Sequence, residues 1–185
     1  MLFSEHLKVR GLKPWHRAWV DREQELVTFP LWSFPCFGKS GLIGYQRYNW
    51  REIKIHDNGG KYFTWVSTNY KDRVCYGLDN LFGHGPLFIV EGVWDSLRVG
   101  ACWFDCLALL TCSPCTNLKA HLRQLAGEKP IVALCDNDAN KSGLRLRSVA
   151  DHSFVVPSPY KDVNEMTHEV CFDWLTEVQR RLKKW

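Results

Sequence analysis

The sequence predicts an α/β fold. A parallel sheet flanked by helices is expected over residues 85–166, a small mixed, mainly antiparallel β subdomain over 1–84, and a closing helix over 167–185. Three observations carry this. From Gly85 onward, short apolar runs alternate with stretches of helical spacing, as in strands joined by crossover helices. Before that point, apolar and aromatic runs are separated by Gly, Pro and Asn turns. After Pro159 a loop leads into a single amphipathic stretch.

In chain order, His6 to Val20 reads as a short helical region interrupted by Gly11 and Pro14. Strand-like runs follow at Phe29 to Pro35, Gly41 to Arg47 and Lys61 to Val66, with Asn58-Gly59-Gly60 as a turn. In the second part the strands are Pro86 to Val90, Cys106 to Thr111, Pro130 to Cys135 and His152 to Val156. The helices between them are Val93 to Ala101, Asn117 to Ala126 and Ala139 to Ala150, and the last helix is Thr167 to Leu182. Four cations, Arg180, Arg181, Lys183 and Lys184, suit the C-terminal end of that helix dipole.

With 45% apolar residues and nine Trp, the 185-residue chain has enough material for a core, which excludes a disordered chain. No apolar run reaches the ~20 residues of a membrane span, and Lys8, Arg10 and Lys13 break up the start of the chain. Neither a membrane partner nor a secretory signal is expected, and the expected location is cytoplasmic. The net charge of +4 is concentrated: residues 1–80 hold 12 Lys/Arg against 8 Asp/Glu, and the rest is balanced. There the basic residues interleave with rings in Arg47-Tyr48-Asn49-Trp50-Arg51 and Lys61-Tyr62-Phe63. This pattern suits a phosphate backbone with bases stacked on Tyr48, Trp50 or Tyr62, and equally suits core rings beside a solvated face.

Eight cysteines need a reading. Cys102, Cys106, Cys112 and Cys115 cluster, and Cys112-Ser-Pro-Cys115 has ligand-like spacing. Because the cluster spans a helix end, a strand and a turn, buried thiols are expected and a structural zinc is not.

Carboxylates mark the strand ends. Glu91 and Gly92 follow the first strand of the α/β part, and Asp136 and Asp138 follow the third, 45 residues on from Glu91. Ligands of open α/β sheets bind at that edge. Acidic oxygens gathered there would repel one another unless cations neutralise them, and hard oxygen donors suit Mg²⁺ or Mn²⁺. Asp95, in the first turn of the next helix, reads as a cap. Asp162, after the fourth strand, reads either as a further metal ligand or as a cap, and Lys161 as a partner for a phosphate.

These residues resemble a known family. Ile89-Val-Glu-Gly-Val-Trp-Asp-Ser96 is similar to the glutamate motif of Toprim domains, and Ala133-Leu-Cys-Asp-Asn-Asp-Ala-Asn-Lys-Ser-Gly143 to their Asp-x-Asp motif. Lys161-Asp-Val-Asn-Glu165 resembles the late signature of DnaG-type and phage primases. Phe34-Pro35 with Gly41-Leu-Ile-Gly-Tyr-Gln-Arg47, Lys61-Tyr62 with Tyr76-Gly77-Leu78, and His6-Leu-Lys-Val-Arg-Gly-Leu12 resemble the stretches that precede it. The resemblance covers about residues 5–165.

It implies a DNA primase catalytic core that makes short RNA primers on single-stranded DNA from nucleoside triphosphates. Glu91, Asp136 and Asp138 would be catalytic and hold Mg²⁺ or Mn²⁺, with Asp162 beside them. Arg47, Arg51, Lys61, Lys141 and Lys161 would contact nucleic acid or nucleotide, and Gly92 would allow close backbone approach. A replicative helicase or a separate zinc-binding module would be partners, and the location would be the host cytoplasm for a phage-encoded chain. The zinc ribbon usual before such cores is not expected ahead of residue 5. The same motifs also fit a Toprim nuclease or other phosphodiester-cleaving enzyme, or a non-catalytic DNA-binding replication subunit.

Overall fold

A computed structural model of the chain describes residues 1–33, 41–50, 61–67, 74–110, 118–138 and 141–183. Helix α1 (Phe3–Val9) begins earlier than the His6 to Val20 reading, because Phe3 and Leu7, four apart, form its buried face. It stops at a glycine cap. Gly11 is left-handed (φ 89°), its N–H donates to the Lys8 carbonyl at 3.0 Å, and the Leu12 N–H donates to the Leu7 carbonyl at 3.0 Å.

The first sheet is antiparallel. β1 (Trp19–Asp21), β2 (Leu26–Ser33), β3 (Leu42–Asn49) and β4 (Tyr62–Val66) lie in that order, and β5 (Val74–Cys75) pairs with the far end of β2. Pro30, which has no N–H to donate, falls where β1 has ended and β5 has not begun. β1 and β5 are additions to the expected strands.

The second sheet is parallel, in the order β7-β6-β8-β9: β6 (Leu87–Val90), β7 (Cys106–Ala108), β8 (Ile131–Cys135) and β9 (His152–Val155). β7 is shorter than the expected run to Thr111, because Leu110 turns the chain at φ 50°. Helices α2 (Val93–Ala101), α3 (Leu118–Ala126), α4 (Lys141–Val149) and α5 (His168–Leu182) cover both faces. Leu118, Leu122, Leu146 and Val149 pack with Ile89, Leu107 and Ile131 on one face; Trp94, Leu97, Cys171 and Leu175 pack with Phe88, Val90 and Val132 on the other. Alternate strand residues thus enter opposite cores, as a doubly covered parallel sheet requires. Thr167 caps α5 by accepting the Val170 N–H at 3.3 Å. Arg180 and Arg181 both pair with Glu177 of their own helix.

The second core runs on into the antiparallel sheet, through an aromatic seam. Trp94 meets Phe29 at 5.2 Å and Tyr48 at 5.0 Å, both edge to face, and Phe29 meets Tyr76 at 5.5 Å. Tyr76 also exchanges both backbone hydrogen bonds with Ala108 of β7, at 3.0 Å each. Gly77 follows at φ 98°, where a Cβ would lie 2.7 Å from the Cys106 carbonyl oxygen. The Tyr-Gly-Leu stretch is therefore a joint between the sheets.

Candidate functional site

β6 and β8 are neighbours in register (Ile89 opposite Ala133), so the residues after them emerge side by side. Glu91 leaves β6 with its carbonyl accepting the Leu110 N–H at 3.0 Å. Gly92 is the N-cap of α2, and a Cβ there would stand 2.7 Å from Asp95 Oδ2. The glycine is thus explained by the Asp95 carboxyl folded against it. Asp95 is not the cap expected of it: its Oδ1 accepts the Asn164 N–H at 3.0 Å. Burial first, then the facing Asp162 and Asp136, push its acid up to about 8.

Asp136 leaves β8 and is pushed up to about 6, first by burial and then by Asp162, Glu91 and Asp138. Asp138 turns outward and pairs with Lys161 Nζ at 3.2 Å, so the two aspartates of the turn do not share one direction. The loops after β8 and β9 are tied by the Asn137 N–H, which donates to the Lys161 carbonyl at 2.7 Å.

The Lys161-Asp-Val-Asn-Glu165 stretch is a folded unit. Asp162 Oδ1 accepts the Glu165 N–H at 2.9 Å, and Glu165 Oε2 accepts the Lys161 N–H at 2.7 Å. The cap reading of Asp162 is the one seen: its side chain caps the 3₁₀ turn at Val163–Glu165, and the residue also lines the cleft. Val163 is buried. Asn164 Nδ2 donates to the carbonyls of Arg10 at 2.8 Å and Trp94 at 3.0 Å.

These loops form one wall of a cleft of about 470 Å³, lined there by Glu91, Asp95, Asp136 and Asp162. This falls in the range of small-molecule sites, roughly 300–1,000 Å³. The facing wall is the antiparallel sheet, through Gln46, Tyr62 and Thr64. Between them lies Arg10, its guanidinium 4.5 Å from the centre of the Trp94 ring and 5.6 Å from that of Tyr48. Arg10 Nε is buried without a hydrogen-bond partner.

Among the described residues, no three His, Cys, Asp or Glu side chains are drawn in closely enough to enclose an ion. The donor set nevertheless fits a hard divalent cation. It is all oxygen, and burial first, then the neighbouring carboxylates, raises the pKa of Asp95 and Asp136 as expected of acids gathered without a counter-charge.

The expected nucleic-acid contacts divide. Lys161 stands at the cleft rim in its pair with Asp138. Lys61 is exposed just before β4. Arg47 faces away from the cleft, because the alternate residue Gln46 lines it, and its guanidinium lies 5.5 Å from the Tyr45 ring centre. Arg51 and the Lys141 side chain lie outside the described residues, as do Cys112 and Cys115; Cys102 and Cys106 are buried thiols. Of the rings expected to stack on bases, Tyr48 is fully buried and Trp50 packs on Phe3 and His6, which leaves Tyr62 at the cleft. Arg10 and Asp95 are the cleft residues that sequence reasoning missed. The signal for Asp95 was its place four residues after Glu91 in the glutamate motif.

No family model matches the chain, and no curated protein does. Solved structures do. The RNA polymerase domain of Mycobacterium tuberculosis primase DnaG matches with a TM-score of 0.64 at 16% identity, over 98% of this chain and 63% of that one. The zinc-binding and RNA polymerase domains of Aquifex aeolicus primase match with a TM-score of 0.62 at 19% identity, over 96% and 55%. The primase fragment of the bacteriophage T7 primase-helicase protein matches with a TM-score of 0.56 at 15% identity, over 83% and 62%. The chain thus spans 55% to 63% of the lengths of these three. At such identities the likeness is one of architecture: this chain has the fold of DnaG-type primase catalytic cores.

Proposed function

We propose that this chain is the catalytic core of a DNA primase, which joins ribonucleotides on a single-stranded DNA template. The supporting observation is the convergence of Glu91, Asp95, Asp136 and Asp162 on one cleft that also holds Arg10. In the reaction, the 3′-hydroxyl of a primer attacks the α-phosphate of a nucleoside triphosphate, and pyrophosphate leaves. Positioning and charge neutralisation dominate such chemistry.

Glu91, Asp136 and Asp162 would hold Mg²⁺ or Mn²⁺, with Asp138 at the rim. When bound, the ions neutralise the triphosphate and the departing pyrophosphate. Arg10, which lines the cleft, offers its guanidinium to a phosphate oxygen while Trp94 fixes its plane. Lys161 can exchange Asp138 for a phosphate. Gln46 and Thr64, joined at 3.0 Å, offer polar atoms from the opposite wall, and Tyr62 offers a ring for a base. On this reading a replicative helicase or a separate zinc-binding module is the working partner, and the cytoplasm, or that of a phage host, is the location.

The test is template-directed synthesis by the purified chain with single-stranded DNA, nucleoside triphosphates and Mg²⁺ or Mn²⁺. Short ribonucleotide products are expected, reduced at least 100-fold in Glu91→Gln and in Asp136→Asn. Template degradation in place of extension, or undiminished synthesis by both variants, overturns the assignment.

A further inference from the structure

The cleft uses one face of β3 and β4 and leaves the other unassigned. Tyr45, Arg47, Phe63 and Trp65 stand on that outer face, by alternation with Gln46 and Thr64. Tyr45 lies opposite Trp65, their rings stacked at 5.8 Å and 24°. Phe63 lies opposite Arg47 and 6.1 Å from the Tyr45 ring. Phe63 and Trp65 are 36% and 50% exposed. Across the sheet, Trp19 of β1 is 58% exposed, and it lies opposite Thr28, which lies opposite Arg47. At ~4.8 Å per strand this row spans roughly 14 Å, the length of about four stacked bases at ~3.4 Å each.

Contiguous exposed rings mark a binding surface, and charge decides what binds. Arg47 is the single charged residue of β3 and β4, and neither strand carries a carboxylate. The acidic residues nearest this row, Asp21, Glu23 and Glu25, begin two residues beyond Trp19 at the β1–β2 turn, where Asp21 Oδ1 is taken up by the N–H groups of Glu23 and Gln24. The whole positive excess of the chain lies in residues 1–80. Flat π faces around a guanidinium match a polyanion that also carries ring faces, which is how sheet surfaces hold single strands.

From this geometry we infer that the outer face is a second, sequence-independent binding surface for single-stranded DNA. Bases outside the cleft stack on Trp65, Tyr45 and Phe63, and a phosphate pairs with Arg47. The binding stands apart from the primase reading, which enters only in identifying the strand as template.

The test is fluorescence anisotropy of a labelled 20-nucleotide oligothymidylate with the full chain at low salt. Affinity is expected to fall at least tenfold in the Phe63→Ala/Trp65→Ala double variant and to stay within threefold in Trp65→Phe. Arg47→Gln, a single change at a half-buried position, weakens binding and lowers the slope of log affinity against log salt by about 1. Unchanged affinity in both the double variant and Arg47→Gln overturns the proposal. So does a double variant that loses self-association by light scattering while keeping its DNA affinity, which assigns the face to protein contact. Synthesis by the unaltered chain is read in parallel. Ring-dependent binding without synthesis removes the primase reading alone, and synthesis with ring-independent binding removes the platform alone.

Discussion

Asn164 ties its own turn to two segments far away in the chain: the end of α1 through Arg10, and α2 through Trp94 and Asp95. Asn164→Ala leaves two carbonyls without their donor, and we expect a loss of about 2–3 kcal/mol, read from urea denaturation. A loss under about 0.5 kcal/mol would show that the two bonds are dispensable. His16 supplies a pH dependence. It is buried, its Nδ1 accepts the Lys13 N–H at 3.1 Å, and its Nε2 is enclosed without a partner. Burial first, then Lys13, lowers its pKa from 6.5 to about 4. The unfolded chain therefore binds the extra proton first. The stability from neutral His16 is complete above pH 6.5 and is lost as pH falls toward 4, by up to roughly 3 kcal/mol. Asp95 and Asp136, with raised values, act in the opposite sense. Urea midpoints from pH 7.5 to 4.5 for the wild-type chain and His16→Asn isolate the histidine by difference, and parallel curves would contradict this account. Glu91, Asp136 and Asp162 were legible because strand ends and motifs mark them. Arg10 was not, since its place over Trp94 depends on packing between segments 84 residues apart.

At the scale of elements, periodicity located every helix and strand of the parallel sheet to within a few residues. It failed where a single backbone angle decides. The end of β7 depends on Leu110 at φ 50°, which no composition rule anticipates. β1, at three residues, and β5, at two, are too short to show alternation. The glycine cap of α1 also has a measurable weight. Gly11→Ala places a Cβ at φ 89° and 3.3 Å from the Arg98 Cα. A loss of about 1–2 kcal/mol is expected, visible as a lowered Tm; an unchanged Tm would mean that the cap relaxes freely. Alternation along β3 and β4 was readable in the sequence, but which face turns inward was not, because that depends on the second sheet.

At the scale of the molecule, the aromatic seam holds the two walls of the cleft at their separation. Trp94 contributes to both the packing and the seat of Arg10. Trp94→Ala should cost about 3–5 kcal/mol. At a temperature where the variant remains folded, synthesis should fall through a raised KM for nucleoside triphosphate as Arg10 loses its support. A drop in kcat with unaltered KM would separate Arg10 from that seat.

The pair of hydrogen bonds between Tyr76 and Ala108 carries a consequence for fragments. Among the described residues β7 is a border strand, and its outer row of amide groups meets Tyr76 at Ala108. A piece beginning at residue 85 would bare that row and the adjoining apolar surface together, inviting edge-to-edge aggregation. The half that carries the parallel sheet should therefore precipitate when expressed without its N-terminal companion and stay dispersed when a peptide containing Tyr76 is supplied.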